Sequence, residues 1–218
     1  MSESRTYLIF GSNGTIGSSC AEFLMRHARV VCAKRDFTGL RDQIDQIQNV
    51  DGVIWAQGLN TSDSVVNFEL DMYENLINAN VSYILNSLTL LLDAGILKKD
   101  SQLVVLSSVW GQLSRPSKLS YGISKAALGG LVRSLATDLG PLGIQINAVS
   151  PGPIDTPMTI KNLMPEELER VISESPIKRL VTLAEVTSII CELAAGKLSG
   201  VTGQEIIIDG GWSVSKLV

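Results

Sequence analysis

The sequence predicts an α/β fold, a doubly wound parallel sheet with helices on both faces, and three observations predict it. Apolar runs of strand length occur at residues 6–10, 29–34, 51–56, 102–107, 144–149 and 204–209, with helical patterns between them. The first run, Thr6-Tyr7-Leu8-Ile9-Phe10, passes through Gly11-Ser12-Asn13-Gly14-Thr15-Ile16-Gly17 into a helical pattern carried by Cys20, Phe23 and Leu24. No linker-like Pro/Gly/Ser or charge-rich stretch divides the 218 residues, of which 45% are apolar, so residues 1–218 read as one domain. Right-handed crossovers between parallel strands then make the sheet doubly wound.

Taken in order, the elements carry distinct chemical signals. Glycines in the 11–17 turn let the backbone bend tightly and approach a diphosphate, and the helix start behind them offers unpaired N–H groups and a partial positive charge. Such a turn is also what ordinary loop chemistry supplies, and its spacing departs from G-x-G-x-x-G. After the second run the chain reads Lys34-Arg35-Asp36, three charges that also suit a solvated turn. The interval 35–52 has room for one helix, not for helix, strand and helix. The fourth run, Leu103-Val104-Val105-Leu106, ends at Ser107-Ser108 and is followed by Tyr121 and Lys125. Met164-Pro165-Glu166-Glu167-Leu168 has the proline and acidic residues of a first helical turn.

Tyr121 and Lys125 carry the strongest chemistry. Positions i and i+4 of a helix share a face, so the ammonium and the phenol can point into one small volume. A phenol has a pKa of about 10 and a nearby cation favours its anion, which makes Tyr121 a candidate acid or base. The Ser108 hydroxyl, at the end of a buried strand, suits hydrogen bonding to a substrate oxygen on which charge develops. Alone, a Tyr-x-x-x-Lys pair is equally the product of a solvated helix face.

Composition removes other classes. A net charge of −4 gives no electrostatic footprint for nucleic acid. Cys20, Cys32 and Cys191 are far apart and lack metal-ligand spacing, so no metal site is expected. His27, the one histidine, falls at the end of the first helix and receives no function. No apolar stretch approaches the ~20 residues of a membrane span, and the first strand follows Met1 too closely for a signal peptide, so a cytoplasmic protein without membrane contact is expected.

Together these residues resemble the short-chain dehydrogenase/reductase family over almost the whole chain, in particular its 3-oxoacyl-carrier-protein-reductase-like members. The glycine turn is similar to that family's Gly-x-x-x-Gly-x-Gly, with Gly11 and Gly17 matching and Thr15 at the middle glycine. Trp55-Ala56-Gln57-Gly58 resembles its Asn-Asn-Ala-Gly strand end but keeps only the final glycine. Asn80, Ser108, Tyr121 and Lys125 match its catalytic set; Pro151-Gly152-Pro153-Ile154-Asp155-Thr156 resembles the loop that closes over a nicotinamide, and Thr202-Gly203-Gln204 with Asp209-Gly210-Gly211 its last strand and turn.

The resemblance implies a Rossmann-type sheet of six strands, because the short 35–52 interval omits a strand of the family's seven at the edge beyond the second strand and opens the adenine pocket. It implies an NAD(P)-dependent oxidoreductase transferring hydride between the nicotinamide and a carbonyl or secondary alcohol of a small molecule. Ser108 would polarise the substrate oxygen and Tyr121 would move the proton. Lys125 would lower the Tyr121 pKa and hold the nicotinamide ribose, and Asn80 would position a water. Gly11, Ser12, Asn13, Thr15, Ile16, Gly17, Ala56, Gly58, Pro151, Gly152, Ile154 and Thr156 would line the cofactor with Tyr121 and Lys125. Lys34 and Arg35 favour the 2′-phosphate of NADP, while Asp36 would serve the ribose of NAD, or with Thr38 the adenine. Thr15 is expected to displace the turn slightly, with Gly14 supplying flexibility, and Trp55 to force local repacking. Residues 158–178 would cover a small or medium substrate. A homotetramer or homodimer is expected through the helices bearing Asn80 and Tyr121. Two other readings stay open, a lyase or isomerase that recycles its nicotinamide and a non-catalytic cofactor-binding regulator.

Overall fold

The computed structural model describes residues 5–156, 159 and 164–215. Six parallel strands form the main sheet: β1 (Thr6–Phe10), β2 (Arg29–Cys32), β3 (Val50–Trp55), β4 (Leu97–Leu106), β5 (Gln145–Pro151) and β8 (Glu205–Ile208), in spatial order β2-β1-β3-β4-β5-β8. Two short strands, β6 (Ile154–Asp155) and β7 (Val181–Thr182), pair with each other. The helices are α1 (Thr15–Met25), α2 (Phe37–Ile44), α3 (Leu70–Ile77), α4 (Tyr83–Asp93), α5 (Leu119–Leu139), α6 (Pro165–Glu174) and α7 (Leu183–Ala194). The expected fold and strand number are those observed, with β2 at one edge. None of the described helices is long and apolar enough to cross a membrane.

The period-2 geometry of a strand explains how one sheet feeds two cores. Leu8, Phe10, Val53, Trp55, Leu103 and Val105 pack under α2, α4 and α5. Tyr7, Ile9, Ile54, Val104 and Val149 face the other way, against α1 and α7. Trp55 is accommodated without exposure: its ring stacks on Phe10 with centroids 5.5 Å apart, and its Nε1 donates to Ser87 Oγ at 2.9 Å. Burying an indole requires a partner for its N–H, and α4 supplies one.

Strand boundaries after β1 differ from the sequence expectation by one or two residues, and at β4 by five; two of the differences have a visible cause. β4 starts at Leu97 rather than 102, because a bulge carries it past Lys98-Lys99-Asp100: Val50 pairs with Leu97 but Gly52 with Gln102. Asp100 takes a positive φ of 73° there, and Ser101 Oγ donates to Val50 O at 2.6 Å. β2 ends at Cys32, short of Lys34. Beyond it the Gln43 carboxamide replaces strand pairing, with Oε1 accepting from Lys34 N at 2.7 Å and Nε2 donating to Cys32 O at 3.0 Å.

Candidate active site

The site is built at the C-terminal ends of the strands, beginning with the turn after β1. Gly11 has φ 73°, and a Cβ on it would fall 2.5 Å from Gln57 N. A Cβ on Gly17 would fall 2.2 Å from Gly11 O, so both positions require glycine. Gly14 is extended (φ −81°, ψ 160°) and open to a side chain, so the flexibility expected of it is not used. Thr15 is the exposed first residue of α1, where its Cβ displaces nothing in the Gly11–Gly17 contact. No side chain caps α1, and its first turn has no carboxylate. The N–H groups of Thr15, Ile16 and Gly17 therefore remain oriented for an anion, with Ser12 and Asn13 in the preceding turn. A dinucleotide's diphosphate fits this cradle.

The next corner is the β2–α2 turn. Lys34 and Arg35 are exposed, and among the described residues no carboxylate pairs with either. Asp36 is already engaged: its Oδ1 accepts from Gly39 N at 2.6 Å and caps α2. The turn is supported from beneath by Tyr83, whose hydroxyl donates to Arg35 O at 3.1 Å and whose ring stacks on Phe37 at 5.1 Å.

The candidate chemical centre lies where β4 and α5 meet. Ser108 is buried two residues after the end of β4, and its Oγ accepts from Trp110 N at 3.3 Å. Tyr121 and Lys125 share one face of α5, with Lys125 Nζ 5.8 Å from the phenol ring centre. Burial raises the Tyr121 pKa, and a hydrogen bond with Ser108 works against that rise. The net direction is therefore upward, where a downward shift is expected from Lys125. The ammonium donates to Leu106 O at 2.8 Å, and burial depresses its own pKa to about 8.

Asn80 sits on a π-helical turn, Asn78–Ser82, between α3 and α4. Its carboxamide is fully engaged, Oδ1 accepting from Leu59 N at 2.7 Å and Nδ2 donating to Leu59 O at 3.0 Å and Ser124 Oγ at 2.9 Å. It thus ties the strand end after β3 to α5. Gly58 lies in the same corner: a Cβ on it would stand 3.2 Å from Asn80 Oδ1 and 3.6 Å from Lys125 Nζ. Ala56 borders this strand end on the α1 and α7 side.

The remaining wall is the segment after β5. Pro151 ends the strand, Gly152 N donates to Ile208 O at 2.9 Å, Ile154 belongs to β6, and the buried Thr156 has its Oγ1 3.1 Å from Thr159 Oγ1. Of the cover expected over 158–178, residues 158 and 160–163 lie outside the described residues; the helix expected at Pro165 is α6. A cavity of about 230 Å³ opens between this helix and the loop after Ser108, walled by Trp110, Trp212, Pro153 and Val171, with Arg115 and Arg170 on its rim.

Sequence reasoning missed Asp63. It is buried, and its carboxylate accepts from Ser120 N at 3.1 Å and from the Ser120 hydroxyl, fixing the start of α5 one residue before Tyr121. Its setting in Thr61-Ser62-Asp63-Ser64 carries no signal beyond a polar loop.

Residues 24–213 match the family model described as Enoyl-(Acyl carrier protein) reductase. The chain is 32% identical over 180 residues to the 3-oxoacyl-[acyl-carrier-protein] reductase FabG of Thermotoga maritima, covering 78% of this chain and 72% of that one. It is 32% identical over 185 residues to oxidoreductase UcpA of Escherichia coli K12, covering 81% and 68%. A gluconate 5-dehydrogenase of Burkholderia cenocepacia, solved with NADP and tartrate, shares the fold at a TM-score of 0.84 and 21% identity, over 97% of this chain and 96% of that one. The match from the end of α1 to the turn after β8, which takes in five of the six main strands, makes this chain a member of the short-chain dehydrogenase/reductase family, oxidoreductases that act on CH–OH and carbonyl groups with NAD(P).

Proposed function

We propose that the protein transfers hydride reversibly between NADP and the carbonyl or secondary alcohol of a small substrate, with Tyr121 giving and taking the proton. The observation that carries this reading is the convergence of Ser108, Tyr121, Lys125 and Asn80 at one corner, across the strand ends from an uncapped helix start. The dinucleotide, when bound, supplies or accepts the hydride. Ser108 orients the substrate oxygen beside the phenol. Tyr121, a phenol that is protonated at neutral pH and whose pKa burial moves further upward, donates to that oxygen during reduction and recovers the proton during oxidation. Lys125 stabilises the phenolate as it forms, and its own pKa of about 8 keeps most of it cationic at neutral pH. Asn80 fixes the strand end against α5 and so holds the spacing of the set.

NADP is favoured over NAD because Lys34 and Arg35 have no carboxylate partner among the described residues, whereas Asp36 is committed to capping α2. The short segment between residues 158 and 178 suits cover over a small or medium substrate. Exposed Leu85 and Leu92 on α4, with Leu119 and Ile123 on α5, support a homodimer or homotetramer built on those helices.

The test is Tyr121→Phe, assayed by NADPH titration and by carbonyl-substrate turnover followed at the reduced-nicotinamide absorbance. The expected result is retained NADPH affinity with turnover lower by about 10²–10⁴-fold. Undiminished turnover overturns the role of Tyr121. Substrate conversion by the wild-type protein without net change in that absorbance points instead to a lyase or isomerase that recycles its nicotinamide.

A further inference from the structure

We propose that Gln57 is a cofactor-recognition residue whose carboxamide hydrogen-bonds the ribose and diphosphate stretch of the dinucleotide, between the glycine turn and Lys125. This rests on the reading of the site as a nicotinamide dinucleotide site and adds a residue that the family pattern does not supply, since Gln57 stands where that pattern has alanine.

Two observations carry it. Among the described residues, both polar atoms of the Gln57 side chain, Nε2 and Oε1, are buried without a hydrogen-bond partner, and one other side-chain atom, Ser213 Oγ, shares that condition. A buried amide without partners destabilises the protein that carries it, and an apolar side chain of the same length would not. The second observation is position. Gln57 follows β3 at the C-terminal edge of the sheet, and its backbone N lies against Gly11, 2.5 Å from where a Cβ on that glycine would fall. The next residue, Gly58, sits beside Asn80 Oδ1 and Lys125 Nζ. Gln57 therefore bridges the anion-binding turn and the catalytic corner.

The chemistry matches what spans that interval. A carboxamide offers both donors and an acceptor, as a ribose hydroxyl requires, and its NH₂ also suits a phosphate oxygen. An alanine can provide neither contact. Gln57 thus gives up hydrogen bonds in the free protein that become available when the dinucleotide binds.

The test is Gln57→Met, which keeps length and burial but removes both hydrogen-bonding groups, with Gln57→Ala as a second variant that restores the family residue. Each is titrated calorimetrically with NADPH and with adenosine 2′,5′-bisphosphate, which lacks the nicotinamide ribose and the bridging diphosphate, and each is melted without ligand. The expected result is a ligand-free Tm for Gln57→Met at or above wild type. NADPH binding weakens about tenfold in both variants, while affinity for the bisphosphate is unchanged. Unchanged NADPH affinity, or equal weakening for both ligands, overturns the proposal. A lowered ligand-free Tm with NADPH affinity intact also overturns it, by showing that the amide serves the fold. Failure of the wild-type protein to bind NADPH or NADH would instead remove the proposed function on which this inference rests.

Discussion

Helices α1 and α7 pack against each other on one face of the sheet, joined by Thr187 Oγ1 donating to Ser19 Oγ at 2.8 Å, yet they treat their N-termini in opposite ways. The start of α7 is closed. Thr182 Oγ1 accepts from Glu185 N at 3.2 Å, Glu185 Oε2 accepts from Thr182 N at 2.8 Å, and Arg179 clamps both carboxylate oxygens at 2.7 and 2.9 Å. The start of α1 has a glycine cap, no side-chain acceptor and no acidic first turn. The closed end spends its N–H groups on helix stability. The open end leaves them without a side-chain partner, and on the proposed reading an anionic ligand completes it.

Four experiments break or sharpen this contrast. The largest effect is expected from Gly17→Ala, because a Cβ 2.2 Å from Gly11 O forces the turn apart. Overpacking of this kind costs about 1–3 kcal/mol, and NADPH binding should disappear from fluorescence titrations. Next is Gly14→Asp, which gives α1 the cap that α7 already has. The backbone there is extended and the nearest atom to a new Cβ is Gly11 O at 3.4 Å, so the side chain fits. Thermal melts should show an unchanged or slightly higher Tm, while calorimetry should show NADPH binding weaker by at least about tenfold, since the carboxylate takes the amides and repels the phosphates. If affinity is retained, the open end is not the phosphate site.

Smaller changes are expected at the closed end. Thr182→Ala should cost about 1 kcal/mol, lowering Tm by about 2–4 °C, without altering NADPH affinity. The smallest effect is in pH dependence. Hydrogen bonds from Arg179 and then from Thr182 hold the Glu185 carboxyl at a pKa of about 2, below its ordinary 4.5. Its stabilising contribution is therefore complete above pH 4.5 and is lost as pH falls through about 2. Melting curves of wild type and Glu185→Gln should converge across that window; a constant gap would show that the clamp does not titrate with this carboxyl.

What the sequence disclosed follows the same division between local and distant causes. The strands, the glycine turn, α6 and the Ser108, Tyr121 and Lys125 set are legible because each is signalled by neighbours in the chain, through periodicity, φ requirements or i,i+4 spacing. Asp63 and Tyr83 are not, because their roles come from partners 57 and 48 residues away, Ser120 and Arg35. Asp36 shows a further limit. Its acidity is visible in the sequence, but its engagement as the cap of α2 depends on where β2 stops, and that strand ends two residues before the expected boundary. The pKa of Tyr121 shows the same limit: spacing reports a lysine near the phenol, while burial, which spacing does not report, sets the net direction upward.

The shortened edge beside β2 has one more consequence. A sheet that loses a strand exposes a row of backbone donors and acceptors on which another chain can assemble. Here the Gln43 side chain holds both the Cys32 carbonyl and the Lys34 N–H, so a single carboxamide stands in for the absent neighbour. A strand arriving from another molecule would have to displace it and to seat itself beside Lys34 and Arg35. At its C-terminal end, the edge that lost a strand thus presents two occupied backbone groups and two cations instead of a free margin.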